Sequence, residues 1–289
     1  MSKIVITCES TCDLPKEFLD NLGVKTIDLH YEIDGKSYGA DGITSKEFYD
    51  AMRNGSDTKT MQVNPYEAEE FLREVKKDGC DILHLGFASV LSGTYNSFLS
   101  AAKTINDENE NGKIVVVDTK AESAGQGLLV TLVAEKLKEG VSFDELVAYA
   151  EEMKGRINHY FTVDNLKYLA RGGRISKTSA FIGNLLNIKP VLHTDVDGAL
   201  KPLQKTMGRR KAIRRLYEKF VERYDHASDH VYITHADCEE DAKMLAGYIK
   251  ESHGITVDIF PLSYVIGSHS GPSTLALFFT ANGREDAQA

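Results

Sequence analysis

"DILHLGFASVLSGTYNSFLSAAKTI", residues 81 to 105, decides the architecture. It opens on a compact apolar run, "DILHLGFA", that reads as a strand. It closes on "TYNSFLSAAKTI", which reads as a helix, and the loop between them is rich in hydroxyls. A strand that turns back as a helix is half of a βαβ unit. The neighbouring sequence repeats the pattern. A helix, "PYEAEEFLREVKKDG" (65–79), comes before, and the strand "KIVVVD" (113–118) with the helix "SAGQGLLVTLVAEKLKEG" (123–140) comes after. At the start, "KIVITC" (3–8) is a strand. The helix "DLPKEFLDNLG" follows, with Asp13 as N-cap, Pro15 in the first turn and Gly23 as its stop. "VKTIDLHYEI" (24–33) reads as the next strand, and residues 34 to 64 read as a polar, turn-rich segment. Such alternation builds a mostly parallel sheet with flanking helices, and ligands of such sheets bind beyond the carboxyl ends of the strands.

After "SFDELVAYAEEMKGRI" the pattern changes. The strand "INHYFTVD", the hairpin "KPVLHTDVDGALKPLQK" with its "DVDG" turn, and the strands "HVYITHA", "ITVDIF" and "STLALFF" mix with the helices "RRKAIRRLYEKFVERY" and "EEDAKMLAGYIKESHG". The expectation is an α/β chain of two domains. Residues 1–157 form an α/β domain on a mostly parallel sheet; residues 158–289 form an α+β domain on a largely antiparallel one.

Composition narrows the function. The chain has 289 residues, 42% of them hydrophobic, and a net charge of −9. An acidic balance argues against general nucleic-acid binding, although "MGRRKAIRR" (207–215) is a local basic exception. No apolar run approaches the ~20 residues that span a membrane. The N-terminus enters a strand without signal-peptide architecture, so a cytoplasmic protein is expected. Cys8, Cys12, Cys80 and Cys238 form neither a disulfide framework nor a zinc motif. His226, His230 and His235 have acidic neighbours but no metal-ligand spacing. There is no P-loop and no G-x-G-x-x-G opening a helix.

Several loops carry candidate chemistry. Ser92, Gly93 and Thr94 stand where a strand gives way to a helix, which suits either an anion or plain N-capping. In "ARGGRIS" (170–176), Arg171 and Arg174 flank a Gly-Gly pair and could bracket a carboxylate or phosphate; they could equally be solvated arginines at a helix end. "TSAFIGNLLNI" (178–188) is apolar on most of its circumference, as a core helix or as the wall of an apolar tunnel. "IGSHSGPST" (266–274) reads as a Gly/Ser/Pro loop around His269, and neither Ser268 nor Ser270 is placed to form a dyad with that histidine.

"CESTCDLP", "KTMQVNP", "LSGTYNS", "ARGGRIS", "NIKPVLHTDVDGALKP" and "IGSHSGPST" occur in this order, and with them the chain closely resembles the DegV family over essentially its whole length. The resemblance implies a fatty acid bound between two domains, with no cofactor and no metal. In some members it implies a lipid-binding subunit that presents the fatty acid carboxylate to a separate ATP-dependent kinase, which forms an acyl phosphate. It places Thr60, Ser92, Gly93 and His269 at the carboxylate, with Ser10, Thr94 and Ser270 nearby. Arg171, Arg174 and Arg209 would face the partner or a phosphate, and Phe181, Ile182 and Leu185 would line the acyl tunnel. The chain would then be a carrier rather than an enzyme. Departures from the family pattern include Glu9 before Ser10, Met61 in "KTMQ" and Met207 after the hairpin.

The physics suits a lipid. Each buried methylene is worth about 0.8 kcal/mol. A buried carboxylate needs hydrogen bonds or charge, which hydroxyls, helix-terminal amides and a histidine able to carry charge would supply. The alternative is an enzyme acting on a small carbonyl or phosphate compound, with His269 as general base or phosphoryl carrier.

Overall fold

The computed structural model describes residues 3–38, 42–77, 79–108, 111–176 and 187–285. β1 (Ile4–Glu9) passes through a 3-10 turn (Ser10–Cys12) into α1 (Lys16–Leu22) and β2 (Lys25–Ile27). β3 (His30–Ile33), β4 (Lys36–Tyr38), α2 (Ser45–Arg53) and β5 (Thr58–Met61) follow. Then come α3 (Pro65–Lys76), β6 (Asp81–Gly86), α4 (Thr94–Asp107), β7 (Ile114–Asp118), α5 (Ser123–Lys138) and α6 (Phe143–Met153). Next are β8 (Ile157–Thr162), α7 (Lys167–Arg171), β9 (Ile188–Thr194), β10 (Leu200–Met207) and α8 (Arg209–Arg223). β11 (Tyr232–His235), α9 (Glu239–His253), β12 (Asp258–Pro261), α10 (Tyr264–Ser270) and β13 (Leu275–Thr280) end the chain order.

The first sheet is parallel throughout, in the order β2-β1-β6-β7. β1 and β6 are nearly continuous buried runs, as strands covered on both faces must be. The six-stranded sheet β10-β9-β8-β13-β11-β12 is antiparallel except for its β11–β12 edge. The fold is therefore mixed α/β, with a parallel sheet and an antiparallel-rich sheet, as the sequence led us to expect.

Three local expectations need correction. "VKTIDLHYEI" is not one strand: it breaks between β2 and β3, which enter different sheets. The segment read as turn-rich holds β4, α2 and β5, and a small antiparallel sheet β4-β3-β5. These strands are short and mostly polar, so they lack the apolar run that marks a strand; α2 does announce itself through the reciprocal cap of Thr44 and Glu47. Asp13 does not cap α1, which starts after Pro15. Its backbone is left-handed (φ 55°) and its carboxyl accepts bonds from the Ser123 hydroxyl and the Ser263 N–H.

α5 is the pivot of the architecture. Residues Ser123 to Ala134 are all buried, because the helix touches β1 and β6 on one side and β8, β11 and β13 on the other. A helix apolar on every face belongs in such a position. Gly127 makes the close approach possible: a Cβ there would lie 2.6 Å from the Cys12 carbonyl oxygen and 2.7 Å from Leu14 Cγ. Ala is the better helix former by up to about 1 kcal/mol, but overpacking against backbone costs about 1–3 kcal/mol. Gly127→Ala is therefore expected to destabilise the protein by about 1–2 kcal/mol, read as a lower urea midpoint at unchanged m-value. A midpoint that stays put or rises would refute this packing argument.

Candidate functional site

Beyond the carboxyl ends of β1, β6 and β7 lies a cavity of about 420 Å³. The parallel sheet contributes Thr11, Phe87, Leu91, Ser92, Glu122 and Ser123. The other side is closed by Phe161, Leu200, Ala276 and Phe278 of the six-stranded sheet and by Leu262 to Ser270 around α10. Most of this wall is hydrocarbon, and its polar groups gather in two places.

The first gathering is at the end of β5 and the start of α4. Thr94, buried at the first position of α4, accepts a hydrogen bond from Val63 N–H (3.3 Å) and so ties the end of β5 to the helix. Ser92 donates to Thr94 Oγ1 (3.0 Å) and accepts from Thr94 N–H (3.2 Å). Gln62 packs its amide over the bare Cα of Gly93. Thr60 and His269 share a 2.8 Å hydrogen bond between Oγ1 and Nε2. His269 is not on a loop. It stands in the last turn of α10, which Ser263 caps and Gly271 (φ 85°) ends. The other side of its ring rests on Gly172, where a Cβ would overlap Nδ1.

The charge here belongs to arginine. Burial first, then the Arg174 and Arg171 guanidinium groups, push the His269 pKa down to about 4, so the ring is neutral at neutral pH. The histidine expected to carry charge is instead a neutral relay to Thr60. Arg174 lines the cavity and donates Nε to the Leu91 carbonyl (3.1 Å), beside Ser92. Burial lowers its pKa, yet an arginine remains cationic. No carboxylate among the described residues pairs with it. A half-buried cation, the hydroxyls of Thr60 and Ser92 and a neutral imidazole thus converge on the cavity where an anion would be stabilised, while Thr94 is fully buried behind them.

The remaining expected site residues are placed as follows. Ser270 lines the same cavity, and its hydroxyl has no partner among the described residues. Ser10 is not brought to this group: its Oγ accepts from Leu29 N–H, and it borders a neighbouring cavity of about 370 Å³. Arg171 is exposed and holds Thr58 Oγ1 (3.1 Å) and Asp57 (3.2 Å). Arg209 does not line the cavity and is paired with Asp241 at 2.8 Å. Phe181, Ile182 and Leu185 lie outside the described residues. Met61, Gln62, Phe161, Leu262 and Phe278 line the cavity unannounced by the sequence, which presents the apolar ones as ordinary core.

The second polar gathering is also unannounced. Glu122, at the start of α5, accepts from His159 Nδ1 (2.9 Å) and the Thr194 hydroxyl (2.7 Å) with one oxygen. Burial opposes its ionisation, but His159, Thr194 and the buried Arg284 outweigh it, and its pKa falls below the ordinary carboxylate value.

Among the described residues no group of His, Cys, Asp or Glu converges as a metal ion would require, and no helix is long and apolar enough to cross a membrane. The model of the DegV family, described as an uncharacterised protein family, matches residues 3–282. A DegV domain-containing protein of Clostridium perfringens (strain 13 / Type A) is 41% identical over 291 aligned residues, covering 99% of this chain and all of the relative. Two solved structures are similar throughout. One is a DegV family protein from Thermus thermophilus, described for its fatty acid binding (TM-score 0.86, 29% identity, 96% of this chain and 99% of that one). The other is a DegV lipid-binding protein from Thermotoga maritima (TM-score 0.84, 30% identity, 98% and 100%).

Proposed function

Since this chain belongs to the DegV family, we propose that it binds a long-chain fatty acid, with the acyl chain in the 420 Å³ cavity and the carboxylate at Thr60, Ser92, Gly93 and His269. Thr94 and Ser270 are the neighbouring hydroxyls, and Arg174 supplies the positive charge. One observation carries the reading: an arginine with no carboxylate partner among the described residues stands at the polar end of an otherwise hydrocarbon cavity. The volume is in the range of small-molecule sites, about 300–1,000 Å³. Fatty acid binding by the Thermus thermophilus relative supports the same ligand class. In this reading the two domains, residues 1–157 and 158–289, meet around the ligand.

The finer proposal is that this cytoplasmic carrier presents the carboxylate to an ATP-dependent kinase partner, which makes the acyl phosphate. Arg171 and Arg209 would face that partner. The enzyme alternative has less support, because a histidine titrating near 4 is a poor general base at neutral pH.

The test is denaturing extraction of the purified protein and mass spectrometry of the organic phase. Near-stoichiometric fatty acid is expected. An empty extract, even after saturated and unsaturated acids have been offered, would end the carrier reading. Gly172→Ala supplies a finer check. Its methyl would push the His269 ring off Thr60, and fatty acid affinity of the folded protein is expected to fall about tenfold, one hydrogen bond to a charged group, alongside an overpacking cost to stability of about 1–3 kcal/mol. Unchanged affinity would remove His269 from the head-group site.

A further inference from the structure

One wall of the cavity does not suit a plain hydrocarbon chain. Glu122 is 8% exposed and lines the cavity. One carboxylate oxygen is occupied by His159 and Thr194, but Oε2 is buried with no hydrogen-bond partner among the described residues. Thr11 is 1% exposed and also lines the cavity, and its buried hydroxyl likewise has no partner among the described residues. The two belong to adjoining elements: Thr11 lies in the 3-10 turn that packs against α5, and Asp13 at the end of that turn takes the hydroxyl of Ser123, the residue after Glu122. Neither residue belongs to the head-group set, which is built on β5, α4 and α10.

A buried polar atom left unpartnered beside a cavity asks for a partner from the occupant. An ionised carboxylate can only accept, so the occupant must donate. A methylene, a double bond or a ketone cannot do so; a hydroxyl can. We propose that the cavity is adapted to an acyl chain bearing a hydroxyl group along its length, whose O–H donates to Glu122 Oε2 and whose oxygen accepts from Thr11. This rests on the fatty-acid reading and adds to it a preference for hydroxylated over unsubstituted chains.

The experiment is competition binding on the delipidated full-length protein. Octadecanoic acid is compared with octadecanoic acids hydroxylated at successive carbons and with the oxo acid at each of those carbons. At least one hydroxy isomer is expected to bind about tenfold tighter than the unsubstituted acid, the effect of a hydrogen bond to a charged group. The oxo acid at that carbon should show no gain, a control that needs no variant. Glu122→Gln keeps the side-chain size but replaces the charged acceptor by a neutral amide, and should shrink the preference several-fold. If octadecanoic acid binds and no hydroxy isomer binds better, this proposal alone is overturned and the carboxylate is served by water. If no acid of the series binds, the fatty-acid reading falls and takes this one with it.

Discussion

Replacing Thr60 and Ser92 together by alanine is expected to weaken fatty acid binding at least about a hundredfold, because Thr60, and Ser92 once its O–H turns from Thr94 to the ligand, would each donate a hydrogen bond to a charged group worth about 1.5–3 kcal/mol. The two are not independent. Thr60 is held by His269, Ser92 is held by Thr94, and Thr94 in turn fixes the strand end that carries Thr60. Losing Thr60 also leaves His269 Nε2 without its 2.8 Å partner. The double variant should therefore lose more than either single one, with a coupling energy of about 0.5–3 kcal/mol between contacting groups. Neither residue is in the core, so the urea midpoint should change little. The measurement is the fatty acid content of purified protein, with titration of the delipidated form. Full lipid occupancy in the double variant would show that the head group lies elsewhere.

Ser92 and Thr94 are legible in the sequence because polar residues between a strand and a helix have few structural duties beyond capping; Thr60 lies within β5 and enters only through the family resemblance. The cavity wall is not legible. Phe161, Leu262 and Phe278 carry the same apolar signal whether they touch another side chain or a ligand. Glu122 is hidden for the opposite reason: a glutamate after a strand usually faces water, and only the approach of β8 and β9 buries this one. The fold divides in a similar way. The parallel strands stand out because burial on both faces demands continuous apolar runs. β4 and β5 are short edges of a small sheet and carry no such run. The helix bearing His269 is masked by its composition, since Gly267, Ser268 and Ser270 are loop residues by propensity; packing against β3, β5 and α7 overrides that preference.

Asp13 gives a prediction that tests how the halves are joined. Burial pushes its carboxyl up to about 7, against the opposing bonds from Ser123 and Ser263. The folded state therefore prefers the neutral acid, whereas the unfolded chain releases the proton near pH 4. Below that pH both states carry the proton and Asp13 costs nothing. As the pH rises toward 7 the unfolded state gains from ionising while the folded state does not, so stability is lost across that window. Asn has the same shape, tolerates the left-handed backbone at φ 55°, and keeps an acceptor for Ser263 N–H and a donor for Ser123. Asp13→Asn should thus gain stability relative to the natural chain by on the order of 3 kcal/mol between about pH 5 and about pH 8, since each pKa unit is worth about 1.4 kcal/mol. His159, His193, His235 and His269 all have lowered pKa values. Each of them loses stability as the pH falls from its unfolded value near 6.5 through its folded one. Both proteins will therefore weaken in acid, and that common loss cancels in the difference. Urea unfolding of the two chains at matched pH reads it directly. A difference that stays flat across the range would mean that water reaches Asp13 and that the contact between the 3-10 turn, α5 and the Ser263 cap opens in solution.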